Sequence, residues 1–544
     1  MSTEALLMLS AVLGLLLLSA PLFLLIGFST ALGYVLFEDS AWMAVEFGES
    51  MRKLTDKPPL LAVPFFVLSG AIMSRGAIAD RLVGVARAVF SGVPGGLGIA
   101  TVIACMFFAA ISGSSPVTVI TIGGVMYPAL VKAGYTERFS TGLVTSAGTL
   151  GILIPPSIPM IVYAIFASGT QVIQVEDLFL AGVGPGILIG GLLSVYCLGV
   201  GWSRGERFAK SDESIVERLI EGFWSLMLPV VILGGIYSGM FTATEAAAIS
   251  VVYSILVEVL IHRSLKLNDL PAVIGESTIL MGSLLVIFAM AVGLNDLLAE
   301  LQLPDRAAAW IKTQELTPFK FMLLLNGFLL IVGCLMDIMS AIMILVPLLT
   351  PMAASYGIDP IHLGIVFIVN LELGYLTPPM GLNLFVSSSL FNKSIGEVIR
   401  SVIPTLAILA IALLCVTYVP TISLGPGRLI RGLQSEAYHS GEKSLAEVIK
   451  SSWVSFPDES EDSPSAASET QPQATEPPKP KGGLSIQEMM RMSGELDDEE
   501  TDDEETDDEE TDDDEEKVKS KPKSIQELMR EQNLDDLEGM DDEE

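Results

Sequence analysis

Two acids, a run of serines and two proline pairs carry most of the chemistry available in an otherwise apolar chain. Asp337 and Glu372 each sit among apolar neighbours, and acids in such surroundings are functional candidates by default. The stretch Ser112-Gly113-Ser114-Ser115-Pro116 offers hydroxyl ligands and a glycine that lets backbone approach closely. Pro155-Pro156 and Pro378-Pro379 remove backbone donors and clash with the preceding turn, so no helix runs through them. Such a break frees carbonyls that coordinate a cation such as Na⁺ and exposes helix N-termini that attract a carboxylate. No basic residue lies in these breaks, so an anion would be held by backbone dipoles, hydroxyls and bound Na⁺. The sequence contains no HExxH, GxSxG or P-loop pattern, so neither an enzyme nor an ATP-hydrolysing chain is expected. Its four cysteines (Cys105, Cys197, Cys334, Cys415) and three histidines (His262, His362, His439) stand singly, without metal or disulfide spacing.

The two breaks are copies of one pattern. LGxLxPP occurs from Leu150 to Pro156 and again from Leu373 to Pro379, an offset of 223. The same offset carries Pro128 onto Pro351, Gly134 onto Gly357, and Ser114 onto Asp337. Several coincidences at one offset imply a duplicated core, with halves at roughly 60–202 and 275–424. Duplicated halves with broken apolar segments in matching places point to the binding site of a secondary transporter. A proline pair alone would equally suit a simple kink, and a small-residue run alone close helix packing.

The elements that position these residues are membrane helices. The 544-residue chain is 51% hydrophobic, with a mean hydropathy of +0.56. Charge-free runs include 5–37, 88–131, 139–175, 178–203, 222–244, 277–295 and 401–427, each near or beyond the ~20 residues a span needs. Inside lipid the backbone must satisfy its own hydrogen bonds, so the runs are helices. The 88–131 run is too long for one helix and is punctuated by the serine stretch, which predicts two passes or a re-entrant hairpin. Residues 5–37, preceded by no basic region, read as a first membrane helix rather than a cleaved leader. Basic clusters at 204–218 and 262–266 place those loops in the cytoplasm, with two helices between them.

Of 64 acidic and 31 basic side chains, 37 and 12 lie beyond Pro426, so most of the formal charge of −33 belongs to a tail. Residues 427–544 are expected to be disordered, and a polyacidic run is repelled by anionic lipid and offers nucleic acid no surface. A short pattern recurs at Ser394–Arg400, Ser444–Lys450, Ser485–Arg491 and Ser524–Arg530, each a helical turn with a capping-box start. Thr242 to Glu245 fits the same cap.

The string Phe107–Pro116 resembles the first hairpin of the large membrane subunits of tripartite ATP-independent periplasmic (TRAP) transporters, and Gly374–Asn383 resembles their second broken helix. Gly239–Ala247 is similar to a third signature, with Ala243 in place of the usual proline. The resemblance covers residues 1–426 and its wording is nearest the C4-dicarboxylate and 2-oxo-acid branches. It implies an all-α polytopic inverted-repeat fold, with scaffold helices at about 1–60 and 222–261 and a transport domain of two re-entrant hairpins that moves as an elevator. It implies Na⁺ as coupling ion, no other cofactor, and two partners: a small four-helix membrane subunit and a periplasmic substrate-binding protein. Carried over, one Na⁺ site joins Ser112, Gly113, Ser114 and Ser115 to Gly151, Ile154, Pro155 and Pro156. The other joins Asp337 and Ser340 to Gly374, Thr377, Pro378, Pro379, Gly381 and Asn383. The implied location is the bacterial inner membrane, with a cytoplasmic tail. A stand-alone Na⁺/dicarboxylate symporter, or a membrane scaffold acting through its acidic tail, are the competing readings.

Overall fold

In a computed structural model, the described residues are 57–167, 173–206, 214–434 and 444–457, most of 20–37, and scattered positions before 54. The chain divides into two units, Met1–Ala467 and Ser468–Glu544. The second unit, the acidic run, and the copies of the short pattern at 485–491 and 524–530 lie outside the described residues.

The described chain is built from helices: α1 (Leu22–Phe37), α2 (Ala62–Arg75), α3 (Ile78–Phe90), α4 (Gly96–Ser112), α5 (Ser115–Lys132), α6 (Glu137–Ala147), α7 (Ile158–Ala167) and α8 (Val175–Ser203). After α9 (Ile215–Tyr237) come α10 (Ala243–Ile255), α11 (Leu270–Glu300), α12 (Leu303–Lys312), α13 (Pro318–Leu335), α14 (Ile338–Ala354), α15 (Pro360–Gly374), α16 (Leu382–Phe391) and α17 (Ile395–Tyr418). The last described helices are α18 (Thr421–Gln434) and α19 (Leu445–Ser451). Among the described residues, eight helices are long and apolar enough to cross a membrane.

Small polar side chains begin many of these helices. Thr136, Ser214, Thr242, Thr317, Asp359 and Ser394 each accept an N–H of the first turn, satisfying donors that the helix leaves orphaned. Thr242 and Ser394 do so in full capping boxes with Glu245 and Glu397. The fully buried Glu258 performs the same service from a distance, accepting Ala77 and Ile78 N–H at 3.0 and 2.9 Å at the start of α3.

Adding 223 to the bounds of α4, α5, α6 and α7 gives 319–335, 338–355, 360–370 and 381–390, within a few residues of α13, α14, α15 and α16. The correspondence reaches back to α1, whose shifted bounds (245–260) fall on α10 and its π-helical extension to Ile261. Contacts between the halves are reciprocal. Helix α5 packs on α16 while α14 packs on α7, and α1 packs on α11 while α10 packs on α2. Reciprocal pairing of this kind is what a two-fold relation between the halves produces.

One expected boundary moves. The change of composition after Pro426 predicts the end of the folded part there, but α18 runs through Pro426 to Gln434. Arg431 pairs with Asp177 at 2.5 Å, and α19 covers α18 with Val448, 1% exposed, against Gly432. Thr421 exchanges two hydrogen bonds with Val454, at 2.9 and 2.8 Å, so the compact part continues through residue 457. Composition missed this because the segment is held by a few contacts with a helix, not by an apolar run of its own.

At the far end of α8, Glu206 ties three turns together. It accepts Gly95 N–H at 2.8 Å, Tyr135 OH at 3.0 Å and Arg204 Nε at 2.9 Å, while Arg204 lies 4.1 Å over the Tyr135 ring. Burial opposes its charge, yet these donors hold the carboxyl below the usual carboxylate range. A depressed carboxylate contributes stability above its unfolded pKa and loses it as pH falls through the folded one. Thermal melting at falling pH should therefore show an acid loss of stability that is smaller in Glu206→Gln, the variant starting from a lower neutral-pH midpoint.

Candidate functional site

Each half presents a helical hairpin whose tip meets a broken helix. In the first, α4 is capped by Gly113, with φ +58° in the left-handed region that glycine occupies without penalty. Ser114 is extended and α5 starts at Ser115 with Pro116 in its first turn. Ser112 Oγ lies 3.0 Å from Thr118 Oγ1, which donates to Ser114 O at 2.8 Å, so side chains fasten the tip to its own second arm. A Cβ on Gly113 would stand 3.0 Å from Pro156 O, and one on Gly151 would stand 2.5 Å from Ser114 O. The tip and the 151–156 break are thus in direct backbone contact, and only glycine fits on both sides.

The second junction is built the same way with different groups. Asp337 caps α14 by accepting Met339 N–H at 3.0 Å, and Tyr375 OH donates to its other oxygen at 2.8 Å. Met380 N–H donates to Cys334 O at 3.1 Å, and Gly374 lies flat against the backbone of Gly333. Thr377 turns inward on its own break, donating to Leu373 O at 2.8 Å. Both proline pairs, Pro155-Pro156 and Pro378-Pro379, contain a cis bond. The two junctions differ in exposure. Pro155 and Pro156 are buried, whereas Pro378, Pro379 and Asp337 are exposed.

Asn383 departs from its expected partners. Assigned by sequence to the second junction, it donates from Nδ2 to Ser115 Oγ at 2.6 Å, in the first hairpin, and both residues are fully buried. Because Asn383 stands in the first turn of α16 and Ser115 begins α5, two helix N-termini, one from each half, meet at this pair. The equivalent positions by the 223 offset, Met160 and Ile338, are apolar. Asn383 Oδ1 has no hydrogen-bond partner among the described residues. The arrangement therefore concentrates positive dipole ends and amide and hydroxyl groups at one of the two equivalent places. Ser340 is buried beside the second tip and Ile154 half-buried on the first break.

Sequence reasoning does not single out Tyr375, Thr118 or Thr149, whose side chains take part in these contacts. Thr149 Oγ1 donates to Glu372 Oε1 at 2.6 Å, both residues being fully buried. The repeat offset could have found it, since it carries Thr149 onto Glu372. Among the described residues no group of three or more His, Cys, Asp or Glu side chains could hold a metal ion, so a cation here would rest on carbonyls and hydroxyls with Asp337.

Among the described residues the fold is helical, with duplicated hairpins and broken helices, the build of a polytopic membrane transporter. A solved structure of the YdaH transporter of Alcanivorax borkumensis has the same general fold, with a TM-score of 0.54 at 14% identity, covering 70% of this chain and 89% of that one. Residues 6–422 match the family model of the tripartite ATP-independent periplasmic transporter, DctM component, and the chain belongs to that family. It is 44% identical over 405 residues to the C4-dicarboxylate TRAP transporter large permease protein DctM of Pseudomonas aeruginosa, spanning 73% of this chain and 92% of that protein. It is 31% identical over 421 residues to the ectoine TRAP transporter large permease protein TeaC of Halomonas elongata, spanning 77% and 97%.

Proposed function

We propose that this chain is the large membrane subunit of a Na⁺-coupled TRAP transporter that imports a small organic anion, a C4-dicarboxylate or 2-oxo acid, across the bacterial inner membrane. The observation that carries the reading is the meeting of the α5 and α16 N-termini at the buried Ser115–Asn383 pair. A substrate carboxylate held there receives hydrogen bonds and dipole field without a basic side chain, at the interface of two repeats where transporter sites form. Na⁺ sits at the two flanking junctions, on the carbonyls that the breaks release and, in the second, on Asp337. The sealed first break and the open second one fit a carrier caught with one side accessible. In this reading the hairpins and broken helices move together past the scaffold helices as an elevator. A small four-helix subunit flanks the scaffold, a periplasmic binding protein delivers substrate, and the tail is cytoplasmic. The C4-dicarboxylate relative favours a dianion, and the ectoine relative marks how far the family's cargo ranges.

Uptake of radiolabelled succinate and of 2-oxo acids into proteoliposomes tests this. The vesicles hold the chain with its small subunit, with and without a Na⁺ gradient and the binding protein. Uptake should require both. Uptake by this chain alone would make it a stand-alone symporter, and Na⁺-independent uptake would remove the coupling ion.

A further inference from the structure

We infer that the Thr149–Glu372 hydrogen bond couples the two hairpin junctions, so that occupation of one Na⁺ site tunes the other. The inference rests on the proposed Na⁺ sites and goes beyond them. Thr149 and Glu372 are separated by 223 residues, the offset that relates the two halves throughout. Residues equivalent in a two-fold pair touch each other only where the axis passes between them, so this bond marks the axis. Each partner also stands two residues before the glycine that lies on its hairpin: Thr149 before Gly151, and Glu372 before Gly374. Gly151 abuts Ser114 O and the Thr118 hydroxyl that is bonded to it, and Gly374 abuts the Gly333 backbone directly. A shift of one break is therefore transmitted through one or two residues of backbone to the axis, and from there to the other break.

The bond is buried on all sides. Thr149 and Glu372 are both 0% exposed, and Glu372 Oε2 has no partner among the described residues. The carboxyl is thus attached to the other half through a single oxygen, which makes Thr149 the determinant of where it points. Neighbouring positions add weaker links between the halves: Thr145 donates to Ser387 Oγ at 2.7 Å and Ser146 Oγ lies 2.6 Å from Thr405 Oγ1. Those partners are not repeat equivalents (offsets 242 and 259); Ser146 is tied to the axis pair only through its carbonyl, which lies 2.7 Å from Thr149 Oγ1. Coupling between two sites requires an element whose position both sites bias, and the axis bond is such an element. Thr149 and Glu372 are positioning residues here, acting through the breaks.

The test is the Na⁺ dependence of uptake in proteoliposomes containing the full chain, its small subunit and the binding protein, at saturating substrate. Wild type should respond sigmoidally, with a Hill coefficient well above 1. Thr149→Val keeps the shape of the side chain and removes the hydroxyl, and should bring the coefficient towards 1. Glu372→Gln retains an acceptor oxygen for Thr149 and should keep the coefficient near wild type, which a general loss of packing would not. Thermal melting of each variant separates loss of coupling from loss of fold. A sigmoidal wild type with an equally sigmoidal, folded Thr149→Val overturns the inference and leaves the Na⁺ reading intact. A wild type without Na⁺ dependence overturns the reading itself, and the inference with it. If Thr149→Val fails to fold, Thr149→Ser should restore both fold and coefficient, and a folded Thr149→Ser with a coefficient near 1 is equally fatal to the inference.

Discussion

Replacing Gly374 with alanine should lower the rate of Na⁺-driven uptake at least about tenfold, the equivalent of ~1.4 kcal/mol at the junction. The new Cβ would stand 2.5, 2.6 and 2.7 Å from the C, Cα and O atoms of Gly333. Those are backbone atoms in the last turn of α13, so no side-chain rotation relieves the overlap, and overpacking of this kind costs about 1–3 kcal/mol. Relief requires α13 to separate from α15, which carries Met336 and Asp337 away from Tyr375. Gly151→Ala should fail in the same way, its Cβ meeting Ser114 O at 2.5 Å and Ser114 C at 2.8 Å. Gly124→Ala supplies the contrast. It lies on an exposed face of α5 with nothing within 4 Å of an added Cβ, so uptake should persist and the helix should gain ~0.5–1 kcal/mol. Initial uptake rates for the three variants decide the matter; a fully active Gly374→Ala would mean that transport does not need this close approach.

Asp337→Ala should raise the Na⁺ concentration for half-maximal uptake by roughly thirtyfold, corresponding to about 2 kcal/mol. Two losses combine. Helix α14 loses its N-cap, worth ~1 kcal/mol, and the Tyr375 hydroxyl loses a charged acceptor. The exposed position of Asp337 keeps the second term near the low end of its range. Asp337→Asn separates the roles, because asparagine caps as well as aspartate but brings no charge to the tip. A Na⁺ response lost in both variants assigns the carboxylate to the ion. A normal response in Asp337→Asn with a loss in Asp337→Ala assigns it to fastening the hairpin. Tyr375→Phe should reproduce only the part of the defect that passes through the bond at 2.8 Å.

The membrane character, the helical class and the places where helices must break were legible in the amino-acid sequence, because each follows from local rules. Charge-free runs have one backbone solution in lipid, and a proline pair ends a helix wherever it falls. The offset of 223 was legible because duplication preserves the residues that break helices, and the same offset relates the helices of the two halves. The capping box at Thr242 was visible because it spans four residues and needs nothing else. What the tertiary structure alone decided is which groups cross from one half to the other. Asn383 sits in the second half's motif and faces Ser115 of the first hairpin. Glu372 bonds to its own repeat equivalent, Thr149, at the axis. Tyr375, an aromatic residue inside a glycine-rich motif, carries the hydroxyl that holds Asp337. The folded part extends past Pro426 because α19 finds a seat on α18. These pairings join residues from about 16 to 268 positions apart, and local propensity carries no information about them. They follow from the reciprocal packing of two duplicated halves, which brings each hairpin's second arm against the other half's broken helix.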